Sequence, residues 1–176
     1  MKLLTFKFYI ISFLILTISF SYSIEKPEIG NVIIYKNTVK HYNVVFKNIN
    51  NEDINLDKYK NNLVILNFWA TWCLPCKDEM PYLDKLQVNK KFTNIKVLPI
   101  NIGNEGRKKP KKFFSDLNIK NLEIFFDYSN NLANEFMLRG LPTTIFINKK
   151  GEEFARIVGW YDFSNEKFVN WLKKYN

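Results

Sequence analysis

The two cysteines of this 176-residue chain, Cys73 and Cys76, are its only ones, and they form a C-x-x-C pair between two different hydrophobic patterns. Before them runs an apolar stretch from Leu63 to Ala70 broken only by Asn67, and after them Met80, Leu83, Leu86 and Gln87 recur at helical spacing. The pair therefore sits where a buried strand turns into a helix. A thiolate at a helix N-terminus faces unpaired backbone N–H groups and the positive end of the helix dipole, which favours the ionised, nucleophilic form. Cys73 takes that place. Cys76, one turn along on the same face, can attack a mixed disulfide formed at Cys73.

Packing cysteines, a structural disulfide and half a zinc site compete with this redox reading. Zinc requires about four ligands, and the sole histidine, His41, lies far upstream with no second C-x-x-C to complete a set. No metal site is expected. A structural disulfide closing so short a loop would constrain little of the unfolded chain.

The string Asn67-Phe68-Trp69-Ala70-Thr71-Trp72-Cys73-Leu74-Pro75-Cys76-Lys77-Asp78-Glu79-Met80-Pro81, with Gly140-Leu141-Pro142-Thr143-Thr144 and an apolar Ile145-Phe146-Ile147 later in the chain, resembles the TlpA/ResA-like family of extracytoplasmic thioredoxin-fold thiol-disulfide oxidoreductases. The resemblance covers about residues 44–171. It implies an α/β thioredoxin-like fold, a mixed central β-sheet with helices on both faces, with a strand-helix insertion typical of that branch and an N-terminal extension. It implies disulfide reduction without a bound cofactor, and a cis peptide bond before Pro142 that presents the backbone of Leu141 to an extended substrate. Trp72 would lie over the disulfide as part of the docking surface.

Glu79 completes the expected site. The position under the cysteines that carries a buried aspartate in ordinary thioredoxins falls here on Asn67, which cannot exchange a proton. A carboxylate three residues after Cys76 shares its helical side, and the resembling family has a glutamate there. Glu79 can exchange the proton of Cys76 if burial raises its pKa; otherwise it is an exposed carboxylate paired with Lys77 or Lys85. Trp69 reads as core.

Length and 47% hydrophobic content allow one domain with a core of its own. Residues 1–24 form a signal peptide or N-terminal membrane anchor: Lys2 and Lys7 precede a 17-residue uncharged run from Phe8 to Ile24, and Ser21-Tyr22-Ser23 offers a small-x-small cleavage site. Residues 25–42 read as a polar extension with a short strand near Val32 to Tyr35, and 43–176 as the thioredoxin-like domain. His41, alone in a polar stretch, is expected to be exposed. The formal charge of +9 rests on 26 cations, of which only Arg107, Arg139 and Arg156 are arginines. Apart from the run at 107–112 they are scattered, so a solvated surface rather than nucleic-acid binding is expected.

Along the domain, strands are expected near 43–46 and 54–56, at 63–68, at 95–102 and at 122–126. Helices are expected over 74–90 with Pro81 inside, over 109–117, from a cap at Ser129 or Asn130 to Leu138, and from a cap at Ser164 to the C-terminus. A hairpin joins 143–148 to 152–158. The location is extracytoplasmic or periplasmic, with the N-terminal segment as a candidate membrane tether. The implied partners are exported proteins with disulfides, such as apocytochrome c or a cytochrome oxidase subunit, and an upstream membrane thiol-disulfide donor. A disulfide-donating oxidant, a copper-binding assembly chaperone and a non-catalytic module on the same fold are the alternatives.

Overall fold

The computed structural model describes residues 31–176; the expected signal or anchor segment, 1–24, lies outside them. Eight strands form one mixed sheet in the order β1-β8-β7-β4-β5-β6-β2-β3. In chain order they are β1 (Val32–Lys40), β2 (Val45–Lys47), β3 (Asp53–Asn55), β4 (Leu63–Trp69), β5 (Ile95–Asn101), β6 (Phe125–Phe126), β7 (Thr143–Ile147) and β8 (Glu152–Val158). The helices are α1 (Leu74–Gln87), α2 (Lys108–Asp116), α3 (Asn131–Glu135) and α4 (Glu166–Lys173).

Strand β4 lies at the centre because its apolar run suits a strand covered on both faces. It pairs parallel with β5 and antiparallel with β7, and all seven of its residues are buried. Alternation sends Leu63, Ile65 and Trp69 into one core and Val64, Leu66 and Phe68 into the other. The first core is closed by α1, α2 and α4, through residues such as Met80, Leu83, Phe113, Phe168 and Trp171. The second is closed by Leu132 and Phe136 around α3 and by Leu56 on a short 3-10 helix. Burying each of these large side chains contributes roughly 2–3 kcal/mol. Helix α1 runs through Pro81.

Several boundaries differ from those the sequence suggests. The stretch 25–42 contributes a nine-residue edge strand, β1, bonded to β8 with a register break between Ile34 and Val39. Val32, which is buried, and Ile34, which is half-buried, point inward at strand spacing, but the largely polar run from Lys36 to Lys40 hides the strand's full length. The strand expected at 122–126 shrinks to Phe125–Phe126. The preceding segment is held instead by Asp84 of α1, which accepts hydrogen bonds from the backbone N–H groups of Lys120 and Asn121 and from the Asn121 side chain.

Two helix caps also move. Neither Ser129 nor Asn130 caps α3 through its side chain; the Asp127 carboxylate does, accepting from the N–H groups of Asn131, Leu132 and Ala133 at 2.9–3.1 Å. Asn165, not Ser164, caps α4, accepting from Lys167 and Phe168. Because a carboxylate meeting three orphan donors is the whole N-terminal cap of α3, Asp127→Ala is expected to lower stability by about 1–2 kcal/mol in a denaturant melt. A change under about 0.3 kcal/mol would mean that the helix needs no cap.

His41 is not exposed. Its side chain is 5% accessible and lies between Glu153 (Nε2 to Oε2, 2.7 Å) and Glu135 (Nδ1 to Oε1, 3.3 Å), with its ring 4.2 Å from that of Phe136. Glu153 is fully buried and also receives Arg156, whose Nε and Nη2 donate to its two oxygens. Burial pushes the Glu153 carboxyl up, but the hydrogen bonds from His41 and Arg156 outweigh it and leave the group below the ordinary carboxylate value. The polar local sequence around His41 carries no sign of these partners, which are 94 and 112 residues away.

Candidate functional site

The Cys73–Cys76 disulfide sits at the start of α1, as the turn out of β4 requires. Cys73 is the N-cap residue, and its Sγ accepts a hydrogen bond from the backbone N–H of Cys76 at 3.3 Å. Pro75 occupies the first turn, where its missing N–H has no helical partner to lose. The two sulfurs differ in access. Cys73 is 5% exposed and Cys76 is fully buried, so an incoming disulfide can meet only the first.

The turn before Cys73 is fixed from a neighbouring loop. Thr71 donates its backbone N–H to Glu105 at 3.0 Å, and its hydroxyl donates to the same carboxylate. Gly103 makes room for this, since a Cβ there would lie 1.9 Å from the Glu105 oxygen. Sequence reasoning missed Glu105, because nothing in a loop 34 residues away marks it as a partner of Thr71.

The peptide bond between Leu141 and Pro142 is cis. Its loop is held at both ends: Gly159 donates its N–H to the Pro142 carbonyl at 2.8 Å, and Thr143 donates its hydroxyl to the Gly140 carbonyl at 2.7 Å. Strand register brings it to the cysteines, since Thr143 pairs with Phe68 of β4, and β4 leads directly into the active-site turn. Trp72 and Leu74, on either side of Cys73, are 67% and 75% exposed. Two large apolar side chains thus flank Cys73 at the surface, while Trp69 is buried with its ring 4.7 Å from Phe113.

Glu79 is fully buried. Asn67 alternates with Ile65 and Trp69 onto the α1 side of β4, where its amide donates to Glu79 Oε1 at 2.7 Å and to Thr144 Oγ1 at 2.9 Å. The other carboxyl oxygen accepts from the backbone N–H of Tyr161 at 3.3 Å. Lysine partners for Glu79 are absent among the described residues; Lys77 and Asp78 face solvent. Desolvation pushes Glu79 up from 4.5 to about 8, against the opposing hydrogen bonds from Asn67 and Tyr161. A carboxyl of raised proton affinity thus lies one turn from Cys76 on the same helix.

Among the described residues, no group of three or more histidine, cysteine or acidic side chains is arranged to hold a metal ion, and no helix is long and apolar enough to cross a membrane. The AhpC/TSA family model matches residues 38–152. The chain is 33% identical over 115 residues to the thiol-disulfide oxidoreductase ResA of Geobacillus kaustophilus, covering 65% of each chain. It is 34% identical over 110 residues to ResA of Halalkalibacterium halodurans, covering 62% of this chain and 61% of that one. The chain thus spans slightly under two thirds of the length of these relatives. Among solved structures, a secreted thiol-disulfide isomerase from Corynebacterium glutamicum superposes with a TM-score of 0.67 over 84% of this chain and 95% of its own, at 22% identity. This likeness shows the thioredoxin-like fold.

Proposed function

The chain belongs to the AhpC/TSA family, and we propose that within it this protein is a thiol-disulfide oxidoreductase which reduces disulfides in exported proteins. The observation that carries the proposal is the asymmetric pair at the start of α1, with one sulfur reachable beside the cis-proline loop and the other buried near a carboxyl of raised proton affinity.

In the reduced protein the Cys73 thiolate attacks one sulfur of the substrate disulfide. That S–S bond breaks, a mixed disulfide forms, and the departing substrate thiolate takes a proton from solvent. Glu79 in its ionised form then takes the proton of Cys76, and the Cys76 thiolate attacks Cys73 Sγ, expelling the second substrate thiolate, which takes a proton from solvent. Two electrons have passed to the substrate and the internal disulfide has formed. Leu141 and Pro142 offer backbone to the extended substrate, and Trp72 covers the sulfur pair. An upstream dithiol donor restores the reduced state by the reverse exchange.

Names of similar proteins support the general reaction, and one of them is described as secreted. We extend this to a cell-envelope location, with 1–24 as export signal or tether. The finer substrate assignment is the C-x-x-C-H haem site of apocytochrome c or the copper-site cysteines of a cytochrome oxidase subunit.

Equilibration of the purified protein against glutathione or dithiothreitol buffers tests the direction of electron flow. A potential more negative than about −220 mV, toward the about −270 mV of thioredoxin, is expected for a reductant. A value near about −120 mV would make the protein a disulfide donor instead.

A further inference from the structure

We infer that a groove beside the cis-proline loop, on the sheet face opposite Glu79, docks an apolar and acidic segment of the protein substrate close to its disulfide. The inference rests on the redox reading above. Alternation along the paired strands turns Ile33 and Tyr35 of β1, Arg156 and Val158 of β8, and Thr143 of β7 to one side, and the loop after α3 closes the groove with Met137 and Arg139. It encloses about 290 Å³, the scale of a few side chains rather than of a globular surface. Thr143 directly follows Pro142, and Gly159, directly after Val158, holds the Pro142 carbonyl. The groove thus opens into the loop that faces the cysteines.

Met137 supplies the first independent observation. It ends α3 in the left-handed region, at φ 48°. Its N–H bonds the Asn134 carbonyl and the Leu138 N–H bonds the Ala133 carbonyl, the pattern that places glycine at this position because a Cβ strains it. The methionine carries that strain while remaining 71% exposed, so its side chain contributes little to the core. What it does offer is an adaptable thioether on the rim of the groove, beside Ile33 and Val158, which are 48% and 37% exposed.

Arg139 supplies the second. Arg156 is committed, donating to both Glu153 oxygens and, through Nη1, to the Phe136 carbonyl. Arg139 is exposed and makes no hydrogen bond or ion pair among the described residues. A lone uncommitted guanidinium next to apolar side chains matches a carboxylate adjoining an apolar residue, in a chain whose charge of +9 draws acidic segments toward it. An anionic lipid surface calls for a row of cations. The basic run at 107–112 instead sits on α2, which packs against the other core.

The test uses two synthetic peptides with the same internal disulfide, one flanked by Glu-Leu-Glu and the other by Lys-Leu-Lys. Their second-order rates of reduction by the full chain are compared. The acidic peptide is expected to react about fivefold faster at low salt, with the preference shrinking as salt rises. Arg139→Glu is expected to invert that preference. Met137→Gly is expected to raise the thermal midpoint by relieving the backbone while slowing both peptides. A raised midpoint with unchanged rates would make Met137 merely structural and overturn the docking role. Equal rates for the two peptides in wild type, or Arg139→Glu abolishing vesicle binding or self-association while leaving peptide rates alone, would overturn it as well. If neither peptide is reduced, the redox reading fails by itself. Calorimetry with the dithiol peptides then decides the groove: a preference for the acidic one upholds it, and none overturns it.

Discussion

Glu79→Gln protein in its disulfide form is expected to outlast wild type at pH 9 and to match it at pH 4, while reducing substrate about 100-fold more slowly at pH 7. Both effects come from one carboxyl. Burial holds its folded-state pKa near 8 against an ordinary 4.5, so the group favours folding only while protonated. Its contribution is fully present below about pH 4.5 and is lost as pH rises through about 8. Each tenfold change in proton affinity corresponds to roughly 1.4 kcal/mol, which gives an upper limit of about 5 kcal/mol for the wild-type loss across that window. Glutamine cannot ionise and keeps an oxygen to accept from Asn67 or from the Tyr161 N–H, so the variant should escape this loss.

Turnover moves the other way because the proton of Cys76 then has no buried acceptor. The pH profile of the second step should flatten as its magnitude falls. Thermal midpoints across pH 4–9, set beside stopped-flow reduction rates, check both. Parallel stability curves for the two proteins would show that Glu79 is not held protonated by burial, and an unchanged rate profile would remove it from the chemistry.

The cysteine variants carry the other large effect. Cys73→Ser is expected to abolish turnover, since Cys76 is fully buried and has no path to an incoming disulfide. Cys76→Ser is expected to complete the first attack and then stop, because no second sulfur is within reach of the mixed disulfide. The adduct should appear as a shift in mass under non-reducing conditions and disappear with dithiothreitol. An adduct formed by Cys73→Ser and not by Cys76→Ser would reverse the assigned order of attack.

The central elements were legible in the sequence because they follow from short-range patterns. The apolar run at 63–70, the helical spacing after Cys76, the 143–158 hairpin and the amphipathic α4 each specify themselves within a window of about 8–18 residues. The cis bond before Pro142, the docking position of Trp72 and the fold class were expected from the family resemblance, and the structure contains the cis bond, the exposed Trp72 and the fold. What local pattern missed depends on distant partners. The short strand expected near Val32 to Tyr35 extends to Lys40 because β8 supplies its hydrogen bonds, and His41 is buried because β1 carries it to Glu153 and Phe136. Asp127 rather than Ser129 caps α3 because the end of β6 aims its carboxylate at three N–H groups, a direction that residue type does not encode.

Glu79 marks the division. By itself the sequence determined that two cysteines open a helix after a buried strand and that a carboxyl follows one turn later, since spacing along a helix is a local property. Only the tertiary structure decided what that carboxyl is. Asn67 from β4, the backbone of Tyr161 from 82 residues away and the closure of the core around them remove it from water, and the loss of hydration raises its affinity for a proton.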